Sequence, residues 1–367
     1  MHIEYLALQR FRNLKQLELK FSPGRVFIEG NNGQGKTNLL EAIFFCATGK
    51  SFRRATHQQI IHHQADTLQL SARIERKTIN HKIEISLAPK KRSIQVDGRG
   101  IKKTSSLFEL LNVVAFFPDD LRIVKGSPEE RRRFLDRFVA NRTPSFVDAS
   151  AQYTKLLTSR NALLKNSPRL DPLLLETYDD GLISHGVQMH QARLEALSSL
   201  RPYAAKHVES ILGSGTALRV EIDSGFEAGP TKEEFALRFR EALKASFQKD
   251  RARGITSVGP HRADLEIYLG DLEARHYASQ GQQRAIVLAM KLGEVELLKE
   301  HLSAPPILLL DDVSSELDSG RTAQLFDLIS AVGGQVFVTT TGAATLPRRP
   351  EDQCLKVEDG CVFELTE

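Results

Sequence analysis

The chain has 367 residues, of which 41% are hydrophobic and 26% charged, with 50 Lys and Arg against 46 Asp and Glu. That is enough to bury a sizeable core in two or three domains, with the balance of a soluble globular protein. No run approaches eighteen consecutive apolar residues, the N-terminus lacks a basic and then apolar leader pattern, and Cys46, Cys354 and Cys361 have no metal-site spacing. A membrane span, a secreted disulfide scaffold and a zinc module are therefore disfavoured, and a cytoplasmic protein is the expectation. The net charge of +4 is mild but unevenly placed. Ten Lys and Arg against three acids lie between Arg73 and Lys103, a local excess of +7 that suits a polyanionic partner.

Residues 3–9 and 15–21 alternate like two strands around Arg10-Phe11-Arg12-Asn13, and Pro23-Gly24 then turns the chain. Arg25–Glu29 reads as a short buried strand. Gly30-Asn31-Asn32-Gly33-Gln34-Gly35-Lys36-Thr37 follows, and the next residues place Leu39, Leu40, Ile43 and Phe44 on one helical face. Strand, glycine-rich loop and helix in that order form the context a P-loop requires. The glycines let several backbone N–H groups converge on phosphate, and the helix N-terminus adds its positive end. Lys36 is placed to neutralise the β- and γ-phosphates of ATP, and the Thr37 hydroxyl to ligate Mg²⁺.

After a polar loop, Gly49–Arg54, three strand-like runs (Leu68–Glu75, Lys82–Leu87 and Ser93–Val96) are joined by turns at Pro89-Lys90-Lys91 and Asp97-Gly98. Leu110–Phe117 reads as one more buried strand, ended by Pro118. Helices follow. Ser127-Pro128-Glu129-Glu130 opens one with a capping box, Phe146–Leu164 continues at helical spacing, and Asp171-Pro172 starts another reaching Leu212. These two long segments are expected to pair as a hairpin, and Thr231–Phe247 forms a further capped helix. A β/α pattern then returns: strand Leu265–Leu269, helix Ser279–Glu300, strand Ile307–Leu310, helix Arg321–Ala331 and strand Val336–Thr339. The fold class is α/β, a mixed β-sheet with a P-loop, split by an inserted helical domain. The expected units are 1–125 (head, N-terminal part), 126–250 (helical insertion) and 251–367 (head, C-terminal part).

The apolar strand Ile307–Leu310 ends in Asp311-Asp312, a Walker B pattern. Asp311 is placed to hold Mg²⁺ with Thr37, and Asp312 to polarise an attacking water. Ala278-Ser279-Gln280-Gly281-Gln282-Gln283 opens a helix about 30 residues earlier. It resembles the ABC signature through Ser279, Gly281 and Gln282, and Ser315-Glu316-Leu317-Asp318 resembles the D-loop. A helix-capping serine is the other role open to Ser279. In ABC-type ATPases the signature of one protomer closes over the nucleotide held by its partner.

With Phe11-Arg12-Asn13, Phe117-Pro118-Asp119-Asp120-Leu121, Val124–Pro128 followed by Arg131-Arg132, and Gly259-Pro260-His261-Arg262-Ala263-Asp264, the chain resembles the SMC branch of ABC ATPases. Within that branch it is similar to the RecF family of bacterial recombination mediators. The resemblance spans most of the chain. It implies an ATP-dependent homodimer that binds DNA at single-strand gaps and duplex junctions. It also implies cooperation with RecR and RecO, and through them the placing of RecA, in repair, replication restart and the SOS response. Asp312 stands where many ABC ATPases have Glu, and its shorter reach points to slow hydrolysis used as a switch. The switch histidine of ABC ATPases is absent; Thr339-Thr340-Thr341 occupies that strand end.

Other features stay open. Lys90, Lys91 and Arg92 are candidate DNA contacts or edge-strand protection. Arg131 and Arg132 are DNA contacts or a solvated helix face. His261-Arg262 couples the domains or forms a turn. A permease-driving ABC subunit and a P-loop kinase are the competing classes. Neither accounts for the basic hairpins together with the stretches at Ser279 and Ser315.

Overall fold

The computed structural model describes residues 1–167, 170–302, 304–312, 319–342 and 346–365. Contacts divide the chain into a unit of Met1–Asp120 with Lys291–Glu367, and a unit of Leu121–Met290.

The first unit holds two six-stranded sheets. One is antiparallel, built from β1 (His2–Phe11), β2 (Leu14–Lys20), β4 (Leu68–Arg76), β5 (Ile79–Ala88), β6 (Lys91–Val96) and β7 (Arg99–Gly100) in the order β2-β1-β4-β5-β6-β7. The other runs β15-β14-β3-β13-β12-β8, from β3 (Arg25–Glu29), β8 (Val113–Phe116), β12 (Ile307–Leu310), β13 (Val336–Thr340), β14 (Gln353–Glu358) and β15 (Cys361–Glu364). Its members are parallel except at β14–β15. The helix after the loop, α1 (Lys36–Thr48), packs against β1, β4 and β13 and is buried at every position from Leu39 to Thr48. That is why its sequence is apolar nearly all round, and not only on the one face that spacing suggested. Alternation in β1 slips between Ile3 and Tyr5, where a bulge shifts the register, so Ile3, Leu6 and Leu8 all face the core.

The expected strand at Leu110–Phe117 is shorter. Ser105–Leu110 forms a helix, α3, and only Val113–Phe116 enters the sheet. Uninterrupted apolar sequence does not distinguish a buried helix end from a buried strand. The pair β14–β15, joined at Asp359-Gly360, also belongs to the core sheet, although the sequence reading assigned nothing there.

The second unit is mainly helical. It contains α5 (Pro128–Arg142), α6 (Ser145–Asn166), α7 (Pro172–Leu212) and α8 (Lys232–Arg253). α7 accommodates Pro202 without ending, and α6 and α8 both pack on α7. The capping boxes at Ser127/Glu130 and Thr231/Glu234 form as their sequences specify. The unit also holds a three-stranded sheet, with β10 (Asp264–Leu269) between β9 (Leu218–Asp223) and β11 (Leu272–Glu273). Pairing of β9 with β10 ties residues after 250 to those before it. The contact division therefore falls at 120/121 and 290/291, where boundaries at 125/126 and 250/251 were expected. Residues 251–290, including Ser279, group with the helical unit.

Arg160 fastens this unit. Its side chain is fully buried; Nε donates to Asp179 Oδ1 (2.6 Å), and Nη1 donates to Thr256 Oγ1 (2.9 Å) and faces Asp250 Oδ2 (3.4 Å). One guanidinium thus joins α6, α7, α8 and the segment before β10.

Candidate nucleotide site

The loop Gly30–Thr37 leaves β3 and enters α1 at Lys36. Contact dictates two of its glycines. At Gly30 (φ +153°) a Cβ would overlap the Val357 carbonyl, and at Gly35 (φ +120°) it would lie 2.9 Å from Asn13 Oδ1. Asn13, in the β1–β2 turn, donates from Nδ2 to the Gln34 carbonyl (2.9 Å) and accepts from Asn38 Nδ2 (2.7 Å). From the β14–β15 turn, the N–H of Gly360 donates to the same carbonyl (3.1 Å) and that of Asp359 to Gln34 Oε1 (2.5 Å). The loop is therefore held in shape from both sides. Asn31, Asn32 and Gly33 form its exposed rim.

The Lys36 ammonium folds back onto the loop and donates to the carbonyls of Gly30 (2.5 Å) and Asn31 (3.0 Å). Burial lowers its pKa, and the carboxylates of Asp312 and Asp311 oppose that shift. Thr37 Oγ1 donates to Asp311 Oδ1 at 2.9 Å, although the two residues are 274 positions apart. The sheet order produces this meeting: β3, β13 and β12 are parallel neighbours, so their C-terminal ends lie together. Burial raises the Asp311 carboxyl, while hydroxyl bonds from Thr339 and Thr37 stabilise its ionised form. A hydroxyl and a carboxylate side by side make a hard oxygen pair, the donor set that suits Mg²⁺. A cavity of about 240 Å³ opens here, lined by Asn32, Lys36, Thr37, Arg53, Asp311, Asp312 and Thr339 among others.

Arg53 was not singled out in the sequence. It lines the cavity, donates to Asn38 Oδ1 (2.8 Å) and lies 3.8 Å from buried Glu41, which also receives a bidentate pair from Arg12. The signal that could have found it is the Arg53-Arg54 pair in the first loop after the P-loop helix.

In the other unit, Ser279 and Gln282 form a reciprocal cap at the start of α10 (Gln280–His301). The Gln282 N–H donates to Ser279 Oγ (3.2 Å), and the Ser279 N–H donates to Gln282 Oε1 (2.8 Å). Ser279 is thus a helix cap in fact, and it is exposed, with Gly281 and Gln282 half-buried behind it. Ser315 and Asp318 lie outside the described residues.

The basic candidates separate. Lys90 and Lys91 are exposed on the β5–β6 turn. Arg92 spends donors on the Gly49 carbonyl (2.6 Å) and Thr104 Oγ1 (3.3 Å), tying the sheet to the end of α1. Arg131 is neither a DNA contact nor part of a solvated face. It is 3% exposed and makes a bidentate pair with Asp264 (2.7 and 2.6 Å) plus a bond to the Gly126 carbonyl. Arg132 is half-buried and donates to the Ala263 carbonyl. Both arginines hold α5 to the start of β10, and a run of three arginines in sequence gives no sign of that. His261 is packed in the same way: Nδ1 bonds the Tyr153 hydroxyl (2.7 Å), Nε2 faces the Thr256 carbonyl (3.1 Å), and burial lowers its pKa to about 4.

The mixed sheet, the rigid loop and the Thr37–Asp311 junction define the head of an ABC-type ATPase fold. The family model described as the RecF/RecN/SMC N terminal domain matches residues 2–360. The chain is 38% identical over 370 residues to the DNA replication and repair protein RecF of Anaeromyxobacter sp., covering 100% of both chains. It is 39% identical to RecF of Lachnoclostridium phytofermentans, covering 99% of each. A solved structure of the recombination mediator protein RecF with ATP, described as acting in the RecFOR pathway, superposes with a TM-score of 0.89 at 31% identity, over 100% of this chain and 98% of that one. An Smc head bound to the C-winged helix domain of ScpA shares the fold at a TM-score of 0.57 and 17% identity, over 100% and 98%. The chain belongs to the RecF family.

Among the described residues, no helix is long and apolar enough to cross a membrane.

Proposed function

We propose that the chain is an ATP-dependent DNA-binding protein of recombinational repair and replication restart. It recognises gapped or single-strand/duplex junction DNA and works with RecR and RecO to help place RecA. Slow ATP hydrolysis serves as a dimerisation switch. The observation that carries this is the Thr37–Asp311 hydrogen bond, which joins P-loop and Walker B strand into one site in a chain of the RecF family.

Lys36 exchanges the Gly30 and Asn31 carbonyls for phosphate oxygens, with which its ammonium makes charge-assisted hydrogen bonds. Thr37 and Asp311 are the residues that would hold Mg²⁺, and the ion would supply positive charge against that developing on the phosphates. Asp312 orients the attacking water. Asn31–Gly35 supply backbone N–H groups to the phosphates. In a two-fold dimer, Ser279, Gly281 and Gln282 of one copy face the loop of the other, with Ser315 and Asp318 beside them. Two equivalent sites follow from that symmetry. Lys90 and Lys91 are the DNA contacts retained from the basic hairpins.

The test is ATP turnover of the full chain with and without gapped DNA. Stimulation by DNA supports the reading. A rate indifferent to DNA, together with no DNA binding in ATP, favours another soluble ATPase of this fold.

A further inference from the structure

We infer that Thr339 is the positioning residue that sets both Walker B carboxylates, doing so through a single hydroxyl. The inference rests on the reading that this site hydrolyses ATP. Thr339 is fully buried near the C-terminal end of β13. A hydroxyl has one proton to give and two lone pairs to accept with. Here the proton goes to Asp311 Oδ1 at 2.8 Å, and the Asp312 backbone N–H donates to Thr339 Oγ1 at 2.9 Å. The register Leu310↔Val338 brings the residue after each strand partner, Asp311 and Thr339, side by side.

The second bond matters because of the backbone it holds. Asp312 has φ +49°, in the left-handed region that side-chain-bearing residues rarely adopt. A residue in that conformation aims its side chain away from the line of the strand, so the direction of the Asp312 carboxylate depends on the turn being maintained. The Thr339 hydroxyl fixes the turn from one side and the metal-binding carboxylate from the other. Thr37 supplies the second hydroxyl to Asp311 Oδ1. Valine at 339 keeps the shape and the strand preference of threonine. It leaves the Asp312 N–H without this acceptor and Asp311 with one hydroxyl donor instead of two.

The experiment compares Thr339→Val and Thr339→Ser with wild type in the full chain. It measures affinity for a fluorescent ATP analogue in EDTA and in Mg²⁺, then turnover. Thr339→Val should bind in EDTA within about twofold of wild type, because the P-loop is untouched. Its Mg²⁺-dependent gain in affinity should fall about tenfold and its kcat about 10–100-fold at near-constant KM, the range typical when a partner orienting a metal ligand is removed. Thr339→Ser, which keeps the hydroxyl, should recover most of both. A Thr339→Val chain with wild-type Mg²⁺ gain and turnover overturns the inference, and so does a Thr339→Ser chain as impaired as Thr339→Val. If wild type itself turns over no ATP, the hydrolysis reading fails, while the Mg²⁺ gain still decides the role of Thr339.

Discussion

Replacing Arg160 by Met removes the cation that joins α6, α7 and α8 and leaves a similar volume of apolar side chain. Asp250, fully buried, then keeps, among the described residues, the hydroxyl of Ser246 (3.0 Å) and the N–H of Ser257 (3.1 Å) as donors. Asp179 loses its 2.6 Å partner in a site where burial already raises its pKa. Removing one member of a buried ion pair typically destabilises by about 3–5 kcal/mol, because the remaining charge has no compensation. The loss should depend on pH with a definite sign. Without Arg160 the Asp179 carboxyl, already raised by burial and now without the cation that opposed the shift, rises further above its unfolded value, so the unfolded chain binds fewer protons across that interval. Stability of the mutant therefore falls, relative to wild type, as pH rises through the raised folded pKa of Asp179. Urea denaturation followed by circular dichroism at pH 5 and pH 8 measures both effects. The deficit should be several kcal/mol at pH 8 and distinctly smaller at pH 5. A deficit below about 1 kcal/mol at pH 8 would show that the cluster does not carry the load assigned to it. One equal at both pH values would refute the buried-carboxylate reasoning.

Three further outcomes follow from the site. Gly35→Ala should abolish nucleotide binding, measured by fluorescence titration, because its Cβ meets Asn13 at a positive φ; binding within threefold of wild type would contradict the geometry. Lys90→Glu with Lys91→Glu should weaken DNA binding and lower the slope of log K against log salt by one to two, since each lost phosphate contact releases about one fewer counterion. An unchanged slope would instead make these lysines guards of the sheet edge. Arg92→Glu should lower the melting temperature more than that double mutant does, because Arg92 is tied to Gly49 and Thr104; equal melting temperatures would count against the distinction.

The nucleotide site was legible because its motifs are local and their spacing has mechanical meaning. Gly30–Thr37 between an apolar strand and an apolar helix leaves few alternatives, and Ile307–Asp312 states both a buried strand and what stands at its end. Capping boxes at Ser127 and Thr231 were readable for the same reason: both partners fall within three residues. At Ser279 a plain helix cap was one of the two roles left open. What failed to show was long-range. Arg131 finds Asp264 133 positions away, and Arg160 finds Asp250 90 positions away, so inward-turned arginines were indistinguishable from surface ones. β9 alternates apolar and polar residues from Leu218 to Asp223, a signal the sequence reading passed over, and its strand state rests on pairing with β10. The β14–β15 hairpin did leave a signal, the Asp359-Gly360 turn between alternating residues. Thr339 was noticed only as a missing histidine; its two bonds could not be seen before β12 and β13 were aligned.

The central claim is that ATP joins two copies by setting the Ser279 stretch of one against the loop of the other. Sedimentation velocity of wild type and Ser279→Arg, each with and without ATP and Mg²⁺, tests it most directly. Wild type should be monomeric alone and dimeric with ATP. Ser279→Arg should bind ATP at near wild-type affinity, because its own loop is intact, yet remain monomeric. A Ser279→Arg chain that still dimerises with ATP would contradict the account and leave Ser279 as a helix cap alone.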